Sequence, residues 1–136
     1  MREILFKAKR IDNGEWVKGC LLIDHSRSNL FKYRIQPVES GLLYAPPINP
    51  ETICQFTGLC DSYGNKIWEN DILMAHLDES YPEDVTYETI EWGVAGWKAH
   101  ETGSTDREYL DEFNLEYFEV VGNIFDHPEL LQEDTE

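Results

Sequence analysis

Cations are scarce in this sequence: 11 Lys and Arg stand against 27 Asp and Glu, a formal charge of −16. Such an imbalance repels phosphate backbones and anionic bilayers, which argues against nonspecific binding to nucleic acid or to a membrane surface. Cysteine is also scarce, and Cys20, Cys54 and Cys60 are odd in number with no C-x-x-C spacing. That pattern argues against a disulfide framework and for buried free thiols in a reducing compartment. No apolar run approaches the roughly 20 residues of a membrane span. The first residues are charged and lead straight into a strand pattern, so no signal peptide is expected and the protein reads as cytoplasmic. Neither G-x-x-x-x-G-K-[ST] nor G-x-G-x-x-G occurs, which removes the usual sequence signs of a phosphate cradle. There is no internal repeat or low-complexity tract.

Candidate chemistry is thin. His25, His76, His100 and His127 are isolated, without His-x-x-x-His or Cys/His ligand spacing. His76, at the end of an apolar run and close in sequence to Asp71 and Asp78, is the best placed for a base or ligand; a polar strand end explains it as well. Glu69 and Asp71 flank a tight turn, where fixing the backbone is the simpler role than holding a metal. Carboxylate pairs can be drawn anywhere in so acidic a chain and so carry no information. No catalytic, cofactor-binding or metal-ligating residue is therefore assigned, and the expectation is a protein that is not an enzyme.

What the sequence does have is a well-punctuated β pattern, centred on Gln55 to Leu73 (QFTGLCDSYGNKIWENDIL). Thr52 to Thr57 is β-branched and aromatic, which suits a strand. Gly58 reads as a reversal, Asp61 to Asn65 as a polar turn and Lys66-Ile67-Trp68 as a brief strand. Glu69-Asn70-Asp71 turns again before the apolar strand Ile72 to Ala75. Short strands separated by tight turns indicate a small barrel or sandwich.

These residues resemble the signature of the YopX family of phage and prophage proteins. The resemblance rests on Gln55 to Leu59, Asp61 with Gly64, and Ile67-Trp68-Glu69-Asn70-Asp71-Ile72, with Asn70 where Gly is more usual. Arg2 to Ala8, Val121 to Phe125 and Pro128 to Leu131 fit too, with His127 where Asn is more usual. It implies a mainly β fold with a small SH3-like barrel in the C-terminal part, and a family without an assigned biochemical role.

Elsewhere, Ile4 to Lys9 and Trp16 to Ile23 flank Asn13-Gly14, a strong hairpin signal because both residues tolerate φ > 0. Leu30 to Gln36 alternates, with Phe31, Tyr33 and Ile35 on one face and Lys32, Arg34 and Gln36 on the other. Residues 37–50 hold Pro37, Pro46, Pro47 and Pro50 and mark a boundary between an N-terminal β subdomain (1–50) and a barrel subdomain (51–136), which could still share one core. Leu42-Leu43-Tyr44 reads as a packed apolar patch. Val85 to Trp92 and Gly93 to Ala99 form a second hairpin, with Trp92 and Trp97 expected in the core or rim. Thr105 and Glu108 have capping-box spacing, which predicts a short helix from about Asp106 to Phe113. Tyr117 to Phe125 is a strand, Asp126 to Leu131 one helical turn, and Gln132 to Glu136 an acidic end expected to fray.

Two binding modes follow. The acidic surface suits a basic protein partner. The alternative is a small barrel that stacks single-stranded nucleic acid on Trp16, Trp68 or Tyr63, for which the basic groups Arg2-Lys7-Lys9-Arg10 and Lys32-Arg34 are too sparse. An exposed edge at Leu30 to Gln36, carrying Lys32 and Arg34, predicts a homo-oligomer.

Overall fold

The computed structural model describes residues 3–26, 31–38, 44–76, 85–101, 107–111 and 114–131. Among them run β1 (Phe6–Lys9), β2 (Trp16–Ile23), β3 (Tyr33–Pro37), β4 (Cys54–Cys60), β5 (Lys66–Trp68), β6 (Asp71–His76), β7 (Val85–Trp92), β8 (Trp97–Glu101), β9 (Arg107–Tyr109) and β10 (Phe118–Asn123). Helix among the described residues is limited to 3-10 turns at Pro50–Thr52, Asn114–Tyr117 and Pro128–Leu131. None is long and apolar enough to cross a membrane. The fold is mainly β, built from two antiparallel sheets. Two compact units divide the chain, one up to Phe56 and one from Thr57 onward.

In the first unit the strand order is β3-β2-β1-β4. Phe6 faces Gly19, Ala8 faces Val17 and Lys9 faces Trp16. Strand periodicity puts Ala8, Val17 and Ile35 on one face, where they form a core with Ile48. Full burial of a Val or Ile side chain stabilises by about 1.5–3 kcal/mol. The β1–β2 hairpin forms as expected, but the turn is longer than an Asn-Gly pair. Arg10 N–H donates to Glu15 O (2.9 Å) and Gly14 N–H to Arg10 O (3.0 Å). Gly14 takes φ +72° and Asn13 stays at negative φ.

The Leu30 to Gln36 strand begins later than its alternation suggests, at Tyr33, and Pro37 is its last paired residue, opposite Gly19. Its outer edge is not open. Ile35 N–H donates to Pro46 O (3.3 Å), Ile48 N–H to Tyr33 O (3.0 Å), and Arg34 bridges Pro47. The Pro46–Ile48 run thus covers β3 and delivers Ile48 to the core. Leu42 and Leu43 lie outside the described residues, and Tyr44 is exposed.

In the second unit β4 continues from Thr57 and pairs with β5, while the other sheet runs β10-β6-β7-β8-β9. Ile67, Leu73, Ala75, Ile90, Ala99 and Phe118 form its core, with Leu59, Trp97, Leu110, Leu115 and Val120 packed around them. Among the described residues no pairing joins β10 to β9, so these pairings by themselves do not close the SH3-like barrel that the resemblance implies.

Three local expectations are corrected. Gly58 does not reverse the chain; it sits inside β4 at φ +86°. The helix expected from Asp106 to Phe113 is replaced, over its described part, by strand β9. Its Arg107, Glu108 and Tyr109 pair with His100, Ala99 and Lys98. A helix this short is marginal in isolation, and a ladder to a formed neighbouring strand outweighs a capping signal. Thr105, Glu112 and Phe113 lie outside the described residues, as do the acidic runs at 78–84 and 132–136. The strand expected at Tyr117 to Phe125 is shorter, with Tyr117 in a 3-10 turn.

Candidate functional site

The segment Gln55–Leu73 places two buried carboxylates at successive turns. Asp61 is only 6% exposed. Its Oδ1 accepts from the backbone N–H groups of Tyr63 (2.9 Å) and Asn65 (2.8 Å). Its Oδ2 accepts from Asn65 Nδ2 (3.1 Å) and from the Val120 N–H (3.0 Å) on β10. Burial alone would push this carboxyl up. Donation by the Val120, Asn65 and Tyr63 backbone and by the Asn65 amide outweighs it and holds the group below the ordinary carboxylate value. With about four acceptor directions in use, Asp61 has none to offer a metal or a substrate proton. It pins the loop to β10.

Asp71, 2% exposed, does the same at the next turn: its Oδ2 accepts from the Trp68 N–H at 2.8 Å. Asn70 occupies the left-handed region at φ +69°, which explains why Gly or Asn fits there. Asn70 N–H donates to Ile90 O (2.9 Å) and its carbonyl accepts from Ile124 N–H (3.0 Å), tying the turn to β7 and to the residue that follows β10.

A third knot closes the C-terminal part. Asn123 Oδ1 accepts from the N–H groups of Phe125 (3.0 Å) and Asp126 (2.9 Å). His127 Nδ1 accepts from the Asn123 N–H at 3.2 Å. The ring packs so tightly that a Cβ on Gly122 would sit 2.5 Å from Nδ1. His127 is therefore a backbone acceptor here, with a local structural role.

A hollow of about 330 Å³ lies beside Asp61, lined also by Ser62, Leu115 and Glu116. Ser62 Oγ donates to Phe118 O at 3.3 Å. Because Asp61 is saturated, the polar groups open to a ligand are Ser62 and the exposed Glu116, too few to orient a reaction.

The YopX protein family model matches residues 5–132. The chain belongs to the YopX family. No curated protein matches it. Among solved structures it is similar to protein EF1440 from Enterococcus faecalis, at 22% identity and a TM-score of 0.62, over 97% of this chain and 100% of that one. That likeness shows the fold.

In this YopX-family chain the remaining candidates scatter. His25 is exposed, His100 half-buried in β8, and His76 closes β6 opposite Val85, while Asp78 lies outside the described residues. Among the described residues no three His, Cys, Asp or Glu converge as metal ligands would. Cys54 is buried and its Sγ donates to Thr52 O (3.3 Å); Cys20 and Cys60 are exposed, against the expectation of three buried thiols.

The supposed stacking residues differ in exposure. Trp68 is 3% exposed and Tyr63 72% exposed. Trp16 is half-buried, with the Lys7 and Lys9 ammonium groups 4.8 Å and 5.5 Å from its ring centroid. Arg10 turns away to Asp12 (2.7 Å). Arg34 donates to Ala45 O (2.8 Å), and Lys32 lies 5.6 Å from the Tyr33 ring centroid.

Two features escaped the reading of the sequence. The first is charge segregation. Up to Phe56 there are 8 Lys and Arg against 6 Asp and Glu, a net +2; from Thr57 onward there are 3 against 21, a net −18. The second is the tip of the β7–β8 hairpin. Trp92 is 61% exposed and Val94 fully exposed, although both tryptophans are expected in the core or rim. Only Trp97 packs against the core. The available sequence signal is the absence of any charge from Trp92 to Trp97 in an otherwise acidic region.

Proposed function

We propose that this protein is a non-enzymatic accessory protein of phage or prophage origin that acts in the cytoplasm by binding another protein. The observation that carries the reading is the −18 charge gathered from Thr57 onward, 21 acids against 3 bases. A field of one sign steers a partner of the other sign and excludes most alternatives, which gives specificity and on-rate. The fully hydrogen-bonded Asp61 and the Asp71 that accepts from Trp68 N–H fit the same reading, since both are engaged in holding turns together. Self-association through β3 is not part of the proposal, because Pro46–Ile48 already occupies that edge.

The test is affinity capture from host cytosol on the purified chain, followed by reconstitution with the identified protein. The expected result is a defined complex that weakens as salt rises. Failure to reconstitute any complex from purified components removes the reading. Tryptophan quenching by single-stranded oligonucleotides that fades with salt would put nucleic-acid binding in its place.

A further inference from the structure

The β7–β8 tip is an apolar projection on the more acidic unit, and its shape is held from both sides. The loop is closed by Gly93 N–H donating to Gly96 O at 2.8 Å. Trp92 and Trp97 meet edge to face, with ring centroids 4.8 Å apart at 67°. Trp97 carries that pair down onto the core beside Ile90 and Ala99. On the other face the Lys98 stem lies where a Cβ on Gly93 would stand, 2.3 Å from Cε. The Lys98 ammonium sits 5.1 Å from the Tyr109 ring centroid, and that ring lies 3.7 Å from the Cβ position of Gly96. Gly96 itself takes φ +148°, a conformation open mainly to glycine. Two glycines, a lysine stem and two aromatic contacts thus fix a tip that leaves Trp92 and Val94 in water.

Apolar side chains exposed singly need no explanation, but a rigid, contiguous, uncharged tip of this kind has the character of a binding anchor. Holding the anchor in its bound shape removes part of the ordering cost of association. Its convex form calls for a cleft. Its setting, in a unit of net −18, calls for a cleft bordered by cations and disfavours an anionic bilayer or the same unit of a second copy.

We propose that Trp92–Trp97 is an anchor that seats in an apolar cleft bordered by Lys and Arg on a partner protein. The proposal rests on the protein-binding reading above and adds to it the surface and the chemistry of the partner.

The test uses the full chain and an amphipathic Leu/Lys peptide as a stand-in for such a cleft, with a Leu/Glu peptide and neutral phosphatidylcholine vesicles as controls. Tryptophan emission should shift to the blue with the Leu/Lys peptide alone. Val94→Asp should weaken that binding at least tenfold. This variant makes the chain more negative, so binding by charge alone would strengthen. Trp92→Ser, with its fold checked by circular dichroism, should weaken it as well. Equal or tighter binding of the Leu/Lys peptide by Val94→Asp overturns the proposal, and so does no binding by the parent chain. A blue shift with the neutral vesicles, or a parent sedimentation mass above one chain that Val94→Asp abolishes, overturns it in favour of a membrane or a second copy. The two readings fail separately. A captured partner that binds Val94→Asp as well as the parent refutes the anchor and leaves protein binding standing, whereas absence of any reconstituted partner refutes protein binding itself.

Discussion

At the scale of single residues, Asp61 and Asp71 of the family signature act as acceptors for backbone donors. Asp61 takes four hydrogen bonds, one of them from a strand 59 residues further on. Asp61→Asn keeps the size of the side chain but turns an NH₂ toward N–H donors, so about 2 kcal/mol of stability should be lost in urea unfolding at neutral pH. The sign of the pH dependence follows from the lowered value of this group. A carboxyl held below its ordinary 3.8 contributes stability that is present above that value and is lost as pH falls through the folded-state value. The gap between parent and variant should therefore shrink under acid. A gap independent of pH down to unfolding would mean that the ionised Asp61 is not what holds the loop.

At the scale of elements, two glycines do different work. Gly14 has open space around it and φ +72°, so only its backbone conformation forbids a side chain. Gly14→Val should lower stability by about 1–2 kcal/mol through that strain, and an unchanged melting temperature would remove the turn from this account. Gly19, on β2, has an ordinary conformation but no room: an added Cβ would stand 1.9 Å from the Gln36 carbonyl oxygen. Gly19→Ala should therefore push β3 off β2, costing about 3 kcal/mol or more because a backbone group cannot rotate out of the way. Amide exchange should report the loss in β2 and β3 first; uniform loss across both sheets would contradict a local clash.

At the scale of the whole molecule, the uneven charge is the dominant feature. The unit from Thr57 onward carries net −18 and the unit before it net +2. Self-repulsion should destabilise the acidic unit at low ionic strength, and screening should relieve it as the Debye length falls to roughly 8 Å. Raising salt from about 0.01 to 0.15 M should add about 1 kcal/mol, or roughly 4–8 °C in melting temperature. Exchange protection should rise in β6, β7 and β8 and stay level in β1 and β2. A melting temperature flat with salt would show that the acids are spaced too widely to repel.

The sequence by itself determined what is decided within a few residues. Alternation set β1 and β7, the return of the chain after a turn set β2 and β8, and the need for positive φ set glycine or asparagine at positions 14, 64 and 70. These are steric and hydrophobic preferences of a short stretch of chain, readable without knowing what lies nearby. Tertiary structure decided the rest. Arg107–Tyr109 became a strand because β8 offered a ladder, and the edge of β3 was covered because Pro46–Ile48 folds back onto it. Asp61 became a pin because β10 brought it the Val120 N–H, and Trp92 stayed in water because Trp97 alone reaches the core. For Asp61 the deciding partner lies on a segment that only the folded chain brings into reach.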